Sequence, residues 1–280
     1  METRTRRTTG VRRRVVHLRR RAQRSVRRIS PLRRMRRRPL SHFQTAARQV
    51  YDGPRGAALK FTSVISLHEP LMGQLFRSGR FDAGRFNSIL DIGSGSGQII
   101  RHLLDVSRQD ARIVGIDLSA EMLRRATARL KSKRPQFLAA DMIRLPFQDA
   151  SFDCITCGYV LEHIPDPTPG LREFARVLQP GGVLLLLATE DSFSGLITSY
   201  TFKCRTLNRA ELKDACDKVG LEWSRELWFT RFHEFLKLGG ILVELRKPDS
   251  PEEPGAQGSP EVSDVSASEG PSDILQPAPR

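Results

Sequence analysis

Ser88-Ile-Leu-Asp-Ile-Gly-Ser-Gly-Ser-Gly-Gln98 is the stretch that decides the fold of this chain. Ile89, Leu90 and Ile92 read as a short buried strand. Gly93, Gly95 and Gly97 follow at alternate positions, which lets the backbone turn sharply and approach a ligand with no Cβ in the way. A helix is expected from about Gln98. Its N-terminus offers unpaired N–H groups and partial positive charge, suited to a carboxylate or phosphate. A nucleotide-like cofactor is therefore the first expectation. A nicotinamide fingerprint would need GxGxxG. Here Gln98 stands three positions after Gly95 and the pattern is GxGxG, so that rival fits poorly.

Four further segments fall into place downstream. Ile113-Val-Gly-Ile-Asp-Leu-Ser-Ala-Glu-Met-Leu123 reads as a second strand ending in Asp117, then a helix capped by Ser119. An acid at that strand end is placed to accept hydrogen bonds from ribose hydroxyls. Phe137-Leu-Ala-Ala-Asp-Met-Ile-Arg-Leu-Pro-Phe147 ends its strand in Asp141. That acid is suited to an adenine amino group, and its neighbour Met142 to covering the ring face. Phe152-Asp-Cys-Ile-Thr-Cys-Gly-Tyr-Val-Leu-Glu-His-Ile-Pro-Asp166 gives a fourth strand with polar residues at its end. Phe174-Ala-Arg-Val-Leu-Gln-Pro-Gly-Gly-Val183 gives a helix, a Pro-Gly-Gly turn and a fifth strand.

Alternating strands and helices imply an α/β fold with a parallel sheet covered on both faces. Strands are expected near 88–92, 112–117, 136–140, 152–157, 182–188, 222–229 and 240–246, and helices near 98–108, 119–132, 167–178 and 208–218. The apolar run Leu236 to Val243 reads as a buried strand.

The five segments in this order resemble the class I S-adenosylmethionine-dependent methyltransferases over roughly residues 85–246. "LPFQDASFDCIT" looks closest to the branch with the ubiquinone and menaquinone C-methyltransferases. The resemblance implies a Rossmann-like seven-stranded sheet, order 3-2-1-4-5-7-6, with strand seven antiparallel and helices on both faces. It implies S-adenosyl-L-methionine as cofactor, with Asp91, Gly93, Ser94, Gly95 and Ser96 lining the methionine end. It also implies Asp117 and Leu118 at the ribose, Asp141 and Met142 at adenine, and Gly158 under the methionine portion. The implied acceptor is a small molecule, quinone-like or lipid-like. The segment 41–87 departs from the N-terminal motif of the quinone enzymes and offers "VYDGPRGAALKF" instead.

His163 follows the fourth strand, where this fold faces its acceptor, and is the candidate general base. A helix-terminal or supporting histidine is the competing reading, and Tyr159 and Glu162 are equally placed. Tyr51, His68 and Glu69 are candidates for a lid or for plain helical packing. Two other function classes stay open: an RNA or other nucleic-acid methyltransferase guided by a basic tail, and a catalytically silent S-adenosylmethionine-binding protein.

The chain's net charge of +15 over 280 residues is unevenly spread. Residues 1–40 hold 17 Arg against Glu2 alone, residues 247–280 carry −5, and the middle is close to neutral at +4. Four parts are expected: a basic tail (1–40), a helical cap (41–87), the cofactor-binding domain (88–246) and an acidic tail without periodicity (247–280). The basic tail spaces Val11, Val15, Leu18, Ala22, Val26 and Ile29 at near-helical intervals. It reads as a solvated tail, as a binder of an anionic membrane surface or nucleic acid, or as an organelle presequence. Translation from Met35 is a fourth reading. No apolar run approaches the ~20 residues of a membrane span. Cysteine usage suggests a reducing compartment, and a cytoplasmic enzyme is expected. Cys154 and Cys157 form a CxxC within a strand, where they point to opposite faces, so no metal site is expected.

Overall fold

The computed structural model describes residues 68–192, 195, 204–236 and 240–249. The readings placed on residues 1–67, among them the basic tail and Tyr51, and on residues 250–280 lie outside them. Contacts divide the chain into Met1–Asp249 and Ser250–Arg280, and every helix and strand named below belongs to the first unit.

The elements are α1 (His68–Arg77), a 3-10 turn (Ala83–Arg85), β1 (Ser88–Ile92), α2 (Gln98–Val106), β2 (Arg112–Asp117), α3 (Ala120–Leu130) and β3 (Gln136–Ala139). Then come β4 (Phe152–Gly158), a 3-10 turn (Leu161–His163), α4 (Thr168–Val177), β5 (Leu178–Ala188), α5 (Arg209–Asp217), β6 (Glu222–Glu226), α6 (Arg231–Leu236) and β7 (Ile241–Arg246). The strands form one seven-stranded sheet in the expected order, β3-β2-β1-β4-β5-β7-β6. β1 to β5 pair in parallel, and β7 runs antiparallel to both β5 and β6.

Alternation along each strand feeds two cores. Leu90, Ile92, Val114, Ile116, Ile155 and Cys157 pack with α4 and α5 residues such as Phe174 and Leu212. Ile89, Ile113, Cys154, Leu185 and Leu187 pack on the other face with Leu75 and Phe76 of α1 and Ile100 and Leu103 of α2. Cys154 and Cys157 thus fall in different cores, as a strand's two-residue period requires. Side-chain oxygens accept the first free N–H groups of two helices: Ser119 Oγ from Met122 at α3, and Asn208 Oδ1 from Ala210 and Glu211 at α5.

Three boundaries differ from expectation. The Pro-Gly-Gly turn is a bulge inside β5, because pairing jumps from Phe152↔Leu178 to Cys154↔Val183. Gly181, at φ +71, donates its N–H to the Lys247 carbonyl at 2.9 Å, so the backbone stays hydrogen-bonded through the bulge. β6 stops at Glu226 and not near 229, because Leu227 and Phe229 turn into the core. The apolar run Leu236 to Val243 is not one strand. α6 ends at Leu236 and β7 begins at Ile241, with Gly240 between them at φ +78. A Cβ on Gly240 would come within 2.7 Å of the Ala188 carbonyl oxygen.

Candidate functional site

Parallel register places one polar row across the middle of the sheet. Asp91 on β1 pairs with Gly115 on β2 and with Thr156 on β4. Two-residue alternation puts all three on the α2 face. Asp91 Oδ1 accepts from Thr156 Oγ1 at 2.7 Å, and Ser94 Oγ donates to the Asp91 carbonyl at 2.9 Å. Asp91 is only 1% exposed, and its Oδ2 has no hydrogen-bond partner among the described residues. Burial pushes its pKa from 3.8 up to about 7, against the lowering effect of the Thr156 and Ser94 contacts. Gly115 matters by what it lacks: a Cβ there would lie 2.6 Å from both Ile100 Cδ1 and Ser94 Oγ. The missing side chain lets the glycine loop and α2 settle onto the sheet. Sequence reasoning misses both Gly115 and Thr156, although a glycine amid the branched residues of "RIVGID" marks a close approach.

The loop above this row uses its three glycines differently. Gly93 (φ +70) leaves no room: a Cβ would meet Val160 Cγ2 at 2.2 Å. Gly97 (φ +79) is pressed on α3, with Leu130 Cδ1 at 3.0 Å from a Cβ. Gly95 (φ +51) is the least crowded of the three: a Cβ would make only ordinary van der Waals contact, with Met122 Cε nearest at 3.6 Å. The Ser94 N–H donates to the Ile116 carbonyl at 2.8 Å, which ties the loop to the end of β2, and Ser96 is buried. α2 starts at Gly97 without a side-chain cap.

Asp117 ends β2 beside the loop. Its Oδ2 accepts the Gly95 N–H and its Oδ1 the Ser119 N–H, each at 2.9 Å. Leu118 follows it, half-buried. Asp141 sits after β3 in a tight turn, accepting from the Ile143 N–H at 3.2 Å and bridging to Arg144. Met142 turns into the core with Leu161, Ile164 and Leu171, and the half-exposed neighbour is Ile143. Gly158 closes β4, where a Cβ would lie 2.9 Å from Ile99 Cδ1 at the start of α2.

Beyond β4 the chemistry changes. Tyr159 adopts φ +59, a costly conformation for a bulky residue, and donates its N–H to the Leu187 carbonyl at 3.0 Å. Glu162 is 2% exposed. Its Oε1 accepts the Thr189 N–H at 2.5 Å, while Oε2 has no partner among the described residues. Burial lifts its pKa from 4.5 to about 7. His163 ends the 3-10 turn, and burial drives its pKa down to about 4. It is therefore neutral at neutral pH. Glu69, the lid candidate, faces Arg101 and Arg129.

Among the described residues, no group of three or more His, Cys, Asp or Glu could hold a metal ion, and no helix is long and apolar enough to cross a membrane.

A family model described as "Methyltransferase domain" matches residues 90–186. Over 110 residues the chain is 40% identical to a demethylmenaquinone methyltransferase of Deinococcus radiodurans, covering 39% of this chain and 45% of that one. Over 124 residues it is 36% identical to a ubiquinone/menaquinone biosynthesis C-methyltransferase of Pseudomonas savastanoi, covering 41% and 48%. The matches thus span less than half the length of these relatives. The fold is also that of geranyl diphosphate C-methyltransferase from Streptomyces coelicolor, solved with S-adenosyl-L-homocysteine, at TM-score 0.52 and 16% identity, over 64% of this chain and 78% of that one. Residues 90–186 are thus similar to a methyltransferase domain, part of the chain is similar to ubiquinone/menaquinone C-methyltransferases, and the sheet has the strand order that the resemblance to class I S-adenosylmethionine-dependent methyltransferases implies.

Proposed function

We propose that this chain transfers a methyl group from S-adenosyl-L-methionine to a small-molecule acceptor of quinol-like or lipid-like character. The observation that carries the reading is the buried Asp91 Oδ2, without a partner among the described residues, in the strand that leads into the glycine loop. A buried acceptor oxygen without a donor is costly unless a ligand supplies one, and the ammonium group of an amino-acid moiety is such a donor. The donor set fits the cofactor. Asp91, Gly93, Ser94, Gly95 and Ser96 are assigned to its methionine end, with Gly158 below it. Asp117, with Leu118 beside it, is assigned to the ribose, and Asp141 with its turn to adenine. Met142 in this reading supports that turn from the core.

When bound, S-adenosylmethionine supplies a methyl group already activated by its sulfonium leaving group. The residues then have to bind, orient and exclude water. The backbone of the glycine loop and Asp91 fix one end. Tyr159, held at its unusual φ, and Val160, packed against Gly93, shape the wall after β4. The acceptor's proton is assigned to Glu162 Oε2 or, as expected from sequence, to His163.

The names of the curated relatives support a quinol-like ring carbon as the first acceptor to try. Four free, buried thiols support a reducing, cytoplasmic setting. The basic segment 1–40 is assigned electrostatic attraction to an anionic membrane surface or nucleic acid, which added salt or deletion of the segment would abolish. The test is product formation: the full chain, S-adenosylmethionine and a panel of demethylated naphthoquinols should release S-adenosylhomocysteine together with a methylated quinol. Cofactor binding without turnover on any quinol or lipid acceptor would contradict the acceptor class.

A further inference from the structure

α1 is wired to the glycine loop by one side chain on α3. Glu69, in the first turn of α1, forms an ion pair through Oε1 with Arg129 Nη2. Arg129 Nη1 reaches the carbonyl of Ser96 in the glycine loop, at 3.5 Å. The two terminal nitrogens of one guanidinium thus hold the cap helix and the loop together. Arg101 also approaches Glu69, at 3.4 Å, but its side chain is 58% exposed and such pairs contribute little. Glu69 and Arg129 are better shielded, with side chains 14% and 28% exposed.

The surroundings fix this geometry. Gly73 brings α1 so close to α2 that a Cβ would lie 2.6 Å from His102 Cε1, and His102 Nε2 is 3.1 Å from the Glu69 carbonyl. On the far side, Leu130 and Ala126 of α3 press on Gly97, the residue after Ser96. Ser96 itself is 1% exposed. The last turn of α3 therefore buttresses the loop, and Glu69 orients the guanidinium that does so.

Resting on the cofactor reading above, we infer that Glu69 and Arg129 are positioning residues for the glycine loop, through which docking of α1 sets cofactor affinity. Arg129 need not touch the cofactor. It holds the Ser96 carbonyl so that the loop is already in its binding conformation, and preorganisation of this kind shows as affinity. Lysine in its place would keep the charge but not the two-pronged reach.

The test measures S-adenosylhomocysteine affinity by calorimetry and melting temperature on the full chain and four variants. Glu69→Gln and Arg129→Gln should each weaken binding roughly tenfold. Arg129→Lys should weaken it comparably while melting within about 3 °C of the wild type. Arg101→Gln should bind within about twofold of it. A merely structural ion pair would move melting and leave affinity alone. Wild-type-like affinity in both Arg129 variants overturns the inference and leaves the cofactor reading standing. A folded wild-type chain that binds no cofactor overturns both.

Discussion

The two sides of the sheet's switch point handle polar groups in opposite ways. On the β1–β2 side they are mostly engaged by the backbone: both oxygens of Asp117 accept loop N–H groups, and the Ser94 N–H is tied to the end of β2. On the β4–β5 side burial dominates: Glu162 has an oxygen without a partner among the described residues, and desolvation lowers the pKa of His163. Asp91 is the hinge between these regimes, anchored by Thr156 through one oxygen and open at the other. The contrast suits the division of labour proposed for them. A cofactor common to a family needs a preformed cradle. An acceptor whose proton must leave needs groups with shifted pKa values.

The sharpest way to break this contrast is to fill the cradle. Gly93→Val places a branched side chain at φ +70 against Val160, and cofactor affinity should fall at least ~100-fold, or ~2.7 kcal/mol. Calorimetry on folded protein checks it. Gly95→Ala would meet no clash but would hold an alanine at φ +51, costing about 1 kcal/mol of stability. The bulkier Gly95→Val should lose at least tenfold in cofactor affinity.

Asp117→Ala should weaken the cofactor about tenfold, because it removes both the loop's anchor and the proposed ribose acceptor. Asp91→Asn tests the hinge more finely. A cation bound beside Asp91 favours its ionised form, so near pH 6 binding should expel up to about one proton from the wild type and none from the variant. Binding enthalpy measured in buffers of different ionisation enthalpy reads this directly. Equal proton release by both proteins would remove Asp91 from the site.

The smallest expected effect concerns the acceptor side. Glu162 has a folded pKa raised to about 7, so the folded chain holds a proton that the unfolded chain has already lost. The stability from this group is complete below about pH 4.5 and declines as pH rises through about 7. Asp91 adds a slope of the same sign, while His163, depressed to about 4, costs stability as pH falls below about 6.5. Glu162→Gln should therefore flatten the fall in melting temperature between about pH 5 and 8 by roughly the Glu162 share. His163→Ala should leave cofactor affinity within about twofold and lower turnover if the imidazole contacts the acceptor.

The cradle is legible in the sequence because its chemistry is backbone chemistry. Glycines at fixed offsets, an acid at each strand end and Ser119 as a cap are written locally in residues 88–123. The strand order is legible only through the family resemblance, since pairing β1 with both β2 and β4 depends on contacts far apart along the chain. What the sequence hides is what register creates. Thr156 and Gly115 join Asp91 only because three strands align, and Arg129 meets Glu69 across 60 positions. The burial of Met142 is hidden for a related reason: a tight turn after Asp141 decides which way it faces, and that turn has no strong residue signature. Glu162 and His163 are visible as candidates, yet burial, which raises the pKa of one and lowers that of the other, is not.

The most direct test of the central claim is calorimetric titration of S-adenosylmethionine into the full chain beside the Asp91→Asn variant. The glycine-loop site predicts one micromolar site in the wild type, accompanied by proton release near pH 6, with weaker binding and no release in the variant. Folded wild-type protein that takes up no cofactor, or a variant that matches it in affinity and proton release, would contradict the account.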